Sequence, residues 1–203
     1  MAYSDFTQVS QLEDKFGIQQ KLTRIFDIVA PLEPSDLLKN ELQESFSLPL
    51  LTEKAKSELL IAPIFKELRR HNHFTISFYS GYLFDVQPEN GLTGYCDYLF
   101  TTETQSIDIK APVFCIVEAK NRSVEEGIAQ AGASMIAAKI FNDRKQRPTE
   151  AIFGCVTTAY EWIFLKLDNN ILEIDITKRY SLEEHSLPYL LGALQAIVQQ
   201  FHS

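Results

Sequence analysis

The sequence has few cysteines, no long hydrophobic run and no excess of positive charge. Three cysteines among 203 residues, with no Cys-x-x-Cys pair, argue against a zinc knuckle and a disulfide framework. No apolar run approaches the about 18 residues of a membrane span, and the N-terminus lacks the apolar region of a secretory signal. The net charge of −8 repels phosphate backbones. We therefore expect a cytoplasmic protein whose contact with nucleic acid needs a local basic patch or bound cations.

Several common catalytic patterns are also missing. No Gly-x-x-x-x-Gly-Lys-Ser/Thr stretch is present, which argues against a phosphate-binding P-loop. No Ser/His/Asp or Cys/His set is recognisable. His71 and His73 follow two arginines at the end of a predicted helix, where positive charge suits the helix dipole. The chemistry must therefore be sought in other residues.

The first part of the chain has the periodicity of helices. Apolar residues recur at helical spacing over residues 10–29, and Ser35-Asp36 begins a second predicted helix that runs to about Ser45. A third predicted helix covers 53–70, with Thr52 as its N-cap. These helices predict a helical extension over residues 1–50 and the start of a separate domain at residue 51.

From Phe74 onward, apolar residues alternate as in strands or form short buried runs. A capping box at Ser123 precedes an Ala-rich helix over 128–141, and a last helix covers 187–201. This order predicts one compact α/β domain over 51–203, with the 1–50 extension packed on it. The predicted strands are 74–78, 82–86, 95–101, 112–118, 151–157, 162–167 and 171–176.

The most informative residues lie where the apolar strand 112–118 ends. Strand alternation places Glu118 and Lys120 on one face. A carboxylate can ligate a hard cation there, while the lysine stabilises hydroxide or phosphate charge. Asp97, on the preceding strand, supplies a second carboxylate. The competing interpretation is a solvated strand end with a surface ion pair worth under about 1 kcal/mol.

The pattern acid, any residue, lysine is weak by itself. Only the copy at 118–120 follows a buried strand and precedes a helix, so its context distinguishes it. The pattern occurs at 13–15, 108–110, 118–120 and 143–145.

Asp97 followed by Glu118-Ala119-Lys120 resembles the metal-binding signature of the PD-(D/E)XK nuclease-like superfamily. The resemblance covers about residues 53–176, and small bacterial members are a closer likeness than restriction enzymes. It implies an α/β restriction-endonuclease-like three-layer fold, with a central mixed β-sheet flanked by helices and, here, an N-terminal helical extension. Cys96 stands where the superfamily signature often has proline.

The resemblance also implies roles for individual residues. Asp97 and Glu118 would bind Mg²⁺ or Mn²⁺, with the carbonyl of Ala119 as a third ligand. Lys120 would orient the attacking water. In the same comparison, two helix residues join the catalytic set. Glu58 would bind a second metal or a metal-bound water, and Gln130 would face the site. Either residue could instead be an ordinary helix side chain.

Two function hypotheses follow. The first is a divalent-metal-dependent nuclease, a hydrolase that cleaves phosphodiester bonds of nucleic acid, with DNA as the expected substrate. The second is a catalytically silent binding or assembly module with the nuclease fold, in which the apolar stripe of residues 10–45 packs against a second subunit in a homodimer.

Two further features allow either a functional or a structural interpretation. The basic stretch Lys139 to Arg147, with Lys120 and Arg122, could form a phosphate-binding rim or a solvated loop. Tyr160 and Trp162 could stack on bases or pack the sheet.

Overall fold

The computed structural model of the chain describes residues 1–201, so positions 202 and 203 of the predicted domain lie outside the described range. A seven-stranded mixed sheet lies between two layers of helices, which makes a three-layer α/β fold. The strands are β1 (Gln19–Leu22), β2 (Ser77–Leu83), β3 (Tyr95–Thr101), β4 (Val113–Ala119), β5 (Ala151–Thr157), β6 (Trp162–Asp168) and β7 (Ile171–Tyr180).

The strand order is β1-β7-β6-β5-β4-β3-β2. Strands β2 to β4 form one antiparallel meander and β5 to β7 form another. The two meanders meet where β4 runs parallel to β5. A parallel pair needs a crossover connection, and here the longest helix of the described chain supplies it. The C-terminal ends of β4 and β5 therefore lie side by side in the middle of the sheet.

The helices cover both faces of the sheet, and none within residues 1–201 is long and apolar enough to cross a membrane. One core lies under the long helix and the first helix, and the other lies under the remaining helices. The helices are α1 (Val9–Phe16), α2 (Asp36–Ser45), α3 (Glu53–Lys56), α4 (Ala62–His71), α5 (Ile128–Arg144) and α6 (Leu187–Gln199). A π-helical segment, Ser57–Ile61, joins α3 to α4.

The predicted helix over residues 10–29 is wrong beyond Phe16. Gly17 ends α1 with a φ of 66°, a left-handed conformation that favours glycine, and its N–H donates to the carbonyl of Glu13. Residues Gln19–Leu22 then pair in parallel with β7 as strand β1. All four side chains of β1 are exposed, so no alternation of polarity marked the strand. The N-terminal extension is therefore partly a sheet edge rather than wholly helical.

The apolar stripe that predicted a homodimer is buried within the chain itself. Leu12 packs into the core beneath α5, while Phe26, Leu38 and Leu42 join the core on the opposite face. A second subunit would therefore have to use a different surface, and the homodimer stays a prediction without this support.

A buried carboxylate fastens the N-terminal segment to the sheet. Asp175 accepts hydrogen bonds from the backbone N–H groups of Ile25, Thr177 and Lys178, and from the Thr177 hydroxyl. We expect Asp175→Ala to destabilise the protein by about 3 kcal/mol, because four partly buried hydrogen bonds lose their acceptor. Urea unfolding would measure the change in free energy. Asp168→Ala, which removes a half-exposed carboxylate, is the control, and an equal loss in both variants would contradict this role for Asp175.

Candidate functional site

The predicted acidic residues meet at the neighbouring ends of β3 and β4. Tyr98 pairs with Val117 across the two strands, so Asp97 and Glu118 are the next residues outward on each. The carboxylate Oδ2 of Asp97 accepts the backbone N–H of Ala119 at 2.8 Å. The structure therefore joins two residues that are far apart in the sequence, and it connects Asp97 to Ala119 through the backbone N–H.

Lys120 lies on the same face as Glu118, as the alternation predicted. Its Nζ donates to Glu118 Oε1 at 2.7 Å and to Gln130 Oε1 at 2.9 Å, so Gln130 faces the site. The side chains of Lys120 and Glu118 are only 17% and 3% exposed, which excludes the solvated surface pair. An ammonium has three hydrogens, and these two bonds leave one for a ligand.

The turn Val124–Gly127 packs closely against the stem of Lys120. A Cβ atom added at Gly127 would lie 2.5 Å from Val156 Cγ1 and 3.1 Å from Lys120 Cγ. Only a residue without a side chain fits there without displacing one of these neighbours. Gly127 therefore helps to define where the ammonium of Lys120 lies.

Glu118 is ionised with difficulty in this setting. Burial raises its pKa to about 8, the negative charge of Asp97 adds to the rise, and Lys120 opposes it. Its Oε2 atom is buried and meets no donor group within residues 1–201, and the protonated side chain shares a hydrogen bond with Asp97. Burial also raises the pKa of Asp97, against the bond from Ala119 and the charge of Lys120. The two carboxylates thus form a desolvated acidic pair with unmet bonding capacity.

The structure does not bring Glu58 to this pair. The Glu58 side chain is 64% exposed and forms a 3.8 Å ion pair with Lys54. Glu53, one residue after the Thr52 cap, lies closer to the site. Burial raises the pKa of Glu53, and Asp97 is the next largest cause. Glu53 is therefore the helix carboxylate that interacts electrostatically with Asp97 of the acidic pair.

A helical pattern in the sequence could have identified Glu53. It precedes the buried residues Leu60 and Ile64 by seven and eleven positions, which is the spacing of one helix face. Glu58 lies off that face. The superfamily's usual position indicated Glu58 instead, and so Glu53 was not predicted.

A second lysine lies near the acids. The Nζ of Lys56 donates to the backbone carbonyl of Asn121 at 2.8 Å and to its side-chain Oδ1 at 3.0 Å. The side chain is buried, and its charge also acts on Glu53. Its Nζ lies 5.5 Å from the ring centre of Tyr160. Lys56 and Lys120 thus both act on Glu53, and Lys120 also acts on Asp97 and Glu118.

The acidic pair fits a hard divalent cation in its donor chemistry. No three His, Cys, Asp or Glu side chains in the described part of the chain are grouped so that they could hold a metal ion together. Mg²⁺ is commonly held by one or two carboxylates, with water and phosphate completing its coordination. The Oε2 of Glu118, which meets no donor group within residues 1–201, provides such a partial set together with Asp97. The Ala119 carbonyl as a third ligand stays a prediction.

The basic stretch Lys139 to Arg147 does not belong to the site. Gln130 touches Lys120 near the start of α5, whereas Arg144 ends that helix. Fourteen residues at 1.5 Å each separate the two positions by about 20 Å. The stretch and Lys120 therefore do not share one site, and a phosphate-binding rim that spans both stays a prediction.

The two aromatic residues of the β5–β6 connection have different environments. Trp162 is fully buried, and its indole N–H donates to the carbonyl of Ala159. Tyr160 is 46% exposed. Sheet packing explains Trp162 and leaves Tyr160 available to a ligand.

Glu53 and Glu58 offer a matched pair of glutamine substitutions. We expect Glu53→Gln to weaken Mn²⁺ binding on the order of tenfold, because it removes a negative charge that acts on the acidic pair. Glu58→Gln should leave the affinity unchanged, since that side chain is exposed and paired with Lys54. Calorimetric titration of both variants measures the affinities. A larger loss in Glu58→Gln would restore the sequence prediction.

The arrangement combines a cation-binding carboxylate pair with ammonium groups that can face an anion. Such a combination suits the hydrolysis of a phosphate ester, in which negative charge must be neutralised and water directed. No protein-family model, curated protein or solved structure matches the chain. The functional assignment therefore depends on this geometry.

Proposed function

We propose that the protein is a Mg²⁺- or Mn²⁺-dependent nuclease with the restriction-endonuclease-like fold, hydrolysing phosphodiester bonds of nucleic acid, with DNA as the expected substrate. The observation that carries the proposal is the buried carboxylate of Glu118, whose Oε2 meets no donor group within the described residues and lies beside Asp97 and Lys120. The antiparallel meander β2–β4 followed by the α5 crossover supports the PD-(D/E)XK assignment.

The carboxylates of Asp97 and Glu118 hold the cation in this proposal, and Glu53 strengthens the negative field. When bound, the cation supplies charge for the phosphate oxygens and lowers the pKa of water. The Ala119 N–H fixes the position of the Asp97 carboxylate through the 2.8 Å bond. Such anchoring reduces reorganisation when substrate arrives.

Lys120 positions the water and the phosphate. Gln130 and Glu118 each accept one of its hydrogens, so the ammonium has a defined orientation. Its remaining hydrogen can donate to the attacking water or to a phosphate oxygen as charge develops there. Lys120 is therefore assigned to transition-state stabilisation, and Gln130 acts through it as a positioning residue.

The second candidate, a catalytically silent binding or assembly module, has one specific observation in its favour. Within residues 1–201 no group of three acidic, histidine or cysteine side chains is arranged to hold a metal ion. A silent module would retain the fold and the Lys120–Glu118 pair as a structural contact. Metal binding distinguishes the two candidates more directly than a cleavage assay with an unknown substrate.

The test is a calorimetric titration of Mn²⁺ into the wild type and into the Asp97→Asn/Glu118→Gln double variant. The nuclease proposal predicts heat of binding in the wild type and its loss in the variant. The titration is repeated with a short oligonucleotide, because phosphate completes the coordination. Equal heats in both proteins under both conditions would overturn the proposal and favour the silent module.

A further inference from the structure

An exposed aromatic ring lies next to the candidate site. Strands β4 and β5 run in parallel with Ala119 opposite Thr157, and the N–H of Lys120 donates to the Thr157 carbonyl at 2.8 Å. Tyr160 follows Thr157 by three residues and is 46% exposed. The strand register therefore places this ring at the same end of β4 and β5 as Lys120.

The turn that carries Tyr160 is tightly hydrogen-bonded. The N–H of Thr158 donates to the Glu161 carbonyl at 3.0 Å, and the N–H of Ala159 donates to the Thr157 hydroxyl at 2.8 Å. The buried indole of Trp162 also donates to the carbonyl of Ala159 at 2.7 Å. A rigid turn presents the ring without a large loss of entropy when a ligand binds.

Lys56 links the ring to the acidic residues. Its Nζ lies 5.5 Å from the centre of the Tyr160 ring and is held by two bonds to Asn121, the residue after Lys120. The ring thus lies beside Lys56, and the charges of Lys56, Lys120 and Asp97 all act on Glu53. An anion bound at the carboxylates through a cation would have the ring as its neighbour.

This combination suits a nucleotide whose base is not paired. Aromatic side chains beside cationic groups are the usual means of binding single-stranded nucleic acid, because each base offers a flat face. The base stack of a duplex hides those faces. The chain has a net charge of −8, so it offers little for tracking the densely charged backbone of a duplex.

We propose that the site acts on unpaired nucleotides of single-stranded nucleic acid, with one base stacked on Tyr160 and the adjacent phosphates facing Lys56 and Lys120. This inference rests on the proposed nuclease function, and it specifies the class of substrate. Tyr160 is assigned to substrate binding and takes no part in proton transfer.

The test is fluorescence anisotropy with a labelled oligothymidine, single-stranded or annealed to its complement, in Ca²⁺ buffer. We expect the wild type to prefer the single strand. Tyr160→Ala should weaken single-strand binding on the order of tenfold, since stacking contributes about 1–3 kcal/mol per base. Tyr160→Phe should retain it. Tyr189→Ala is the matched control, because Tyr189 is 43% exposed and has the Nζ of Lys178 at 5.5 Å from its ring centre.

Three results would overturn the inference: equal affinity in Tyr160→Ala and wild type, equal or tighter binding of the duplex, or no binding of either. Its failure can be told apart from failure of the nuclease proposal. Single-strand binding that depends on Tyr160, in a protein that binds no Mn²⁺, would retain the ligand class and remove the nuclease. Mn²⁺ binding that needs Asp97 and Glu118, without a preference for the single strand, would retain the nuclease proposal and remove the single-stranded ligand class.

Discussion

Glu118→Gln is expected to abolish metal-dependent cleavage and, in the absence of metal, to make the protein more stable at alkaline pH. Glutamine keeps the shape of the side chain and removes the charge that a cation requires. We expect the cleavage rate to fall by about a hundred- to a thousandfold, the range seen when one electrostatic contact to a transition state is lost. The stability change has the opposite sign because ionised Glu118 is buried beside Asp97.

The pH dependence follows from the raised pKa. In the folded protein Glu118 keeps its proton up to about pH 8, whereas in the unfolded chain it loses it near its ordinary pKa of 4.5. Between these values the folded state binds more protons, so the wild type loses stability as the pH rises. Glutamine does not titrate. The advantage of the variant should therefore grow across this window, by up to about 1.4 kcal/mol per pH unit, and stay constant above it.

Urea unfolding of the metal-free proteins at about pH 5 and about pH 9 measures this effect. Glu126→Gln, an exposed change on the neighbouring turn, is the control and should differ little from the wild type at either pH. If the Glu118→Gln protein is less stable than the wild type at the higher pH, ionised Glu118 does not destabilise the folded protein, and the prediction is wrong. Retained cleavage would contradict the mechanism.

Lys120→Met should remove cleavage to a similar extent while leaving Mn²⁺ binding measurable. Methionine preserves an apolar stem against Gly127 but cannot donate to water or phosphate. The ammonium also competes with a cation for Glu118 Oε1, so its loss does not remove a metal ligand. In this variant we therefore expect Mn²⁺ binding to be retained and cleavage to be lost.

Single-turnover cleavage and Mn²⁺ calorimetry on the same preparation test that separation. Lys139→Met is the control, since Lys139 pairs with Asp143 on α5, well beyond Gln130. Loss of Mn²⁺ binding in Lys120→Met would show a structural role for the lysine. Unchanged cleavage would exclude it from the reaction.

Buried strands were the most predictable part of the fold. The predicted bounds of β3 and β5 agree with the structure, because continuous or alternating apolar residues are needed wherever a strand is covered by helices. Strand β1 gave no such signal, since its four side chains are exposed and its pairing with β7 is made by the backbone and the Lys21–Glu173 ion pair. Polar edge strands cannot be recognised from side-chain periodicity.

Strand geometry was enough to bring together the strand residues of the site. The helix carboxylate was placed at Glu58 by the resemblance, although helix spacing indicates Glu53. Asp97, Glu118 and Lys120 meet because adjacent strand ends leave little freedom. On the helix, Glu58 is the second residue of the π-helical segment Ser57–Ile61, in which the helix has more residues per turn than an α-helix. Tertiary packing decides the face that each side chain takes, so a position carried over from a resemblance need not point the same way.

The close packing at Gly127 has a consequence for natural variation. A related chain could keep Asp97, Glu118 and Lys120 and carry alanine at position 127, which would push the added methyl group against Val156 and the stem of Lys120. Every charged residue would be present, yet the ammonium would be displaced from its bonds with Glu118 and Gln130. A survey that counts only charged positions would classify such a chain as an intact enzyme, so genetic variants should be sorted by this small residue as well.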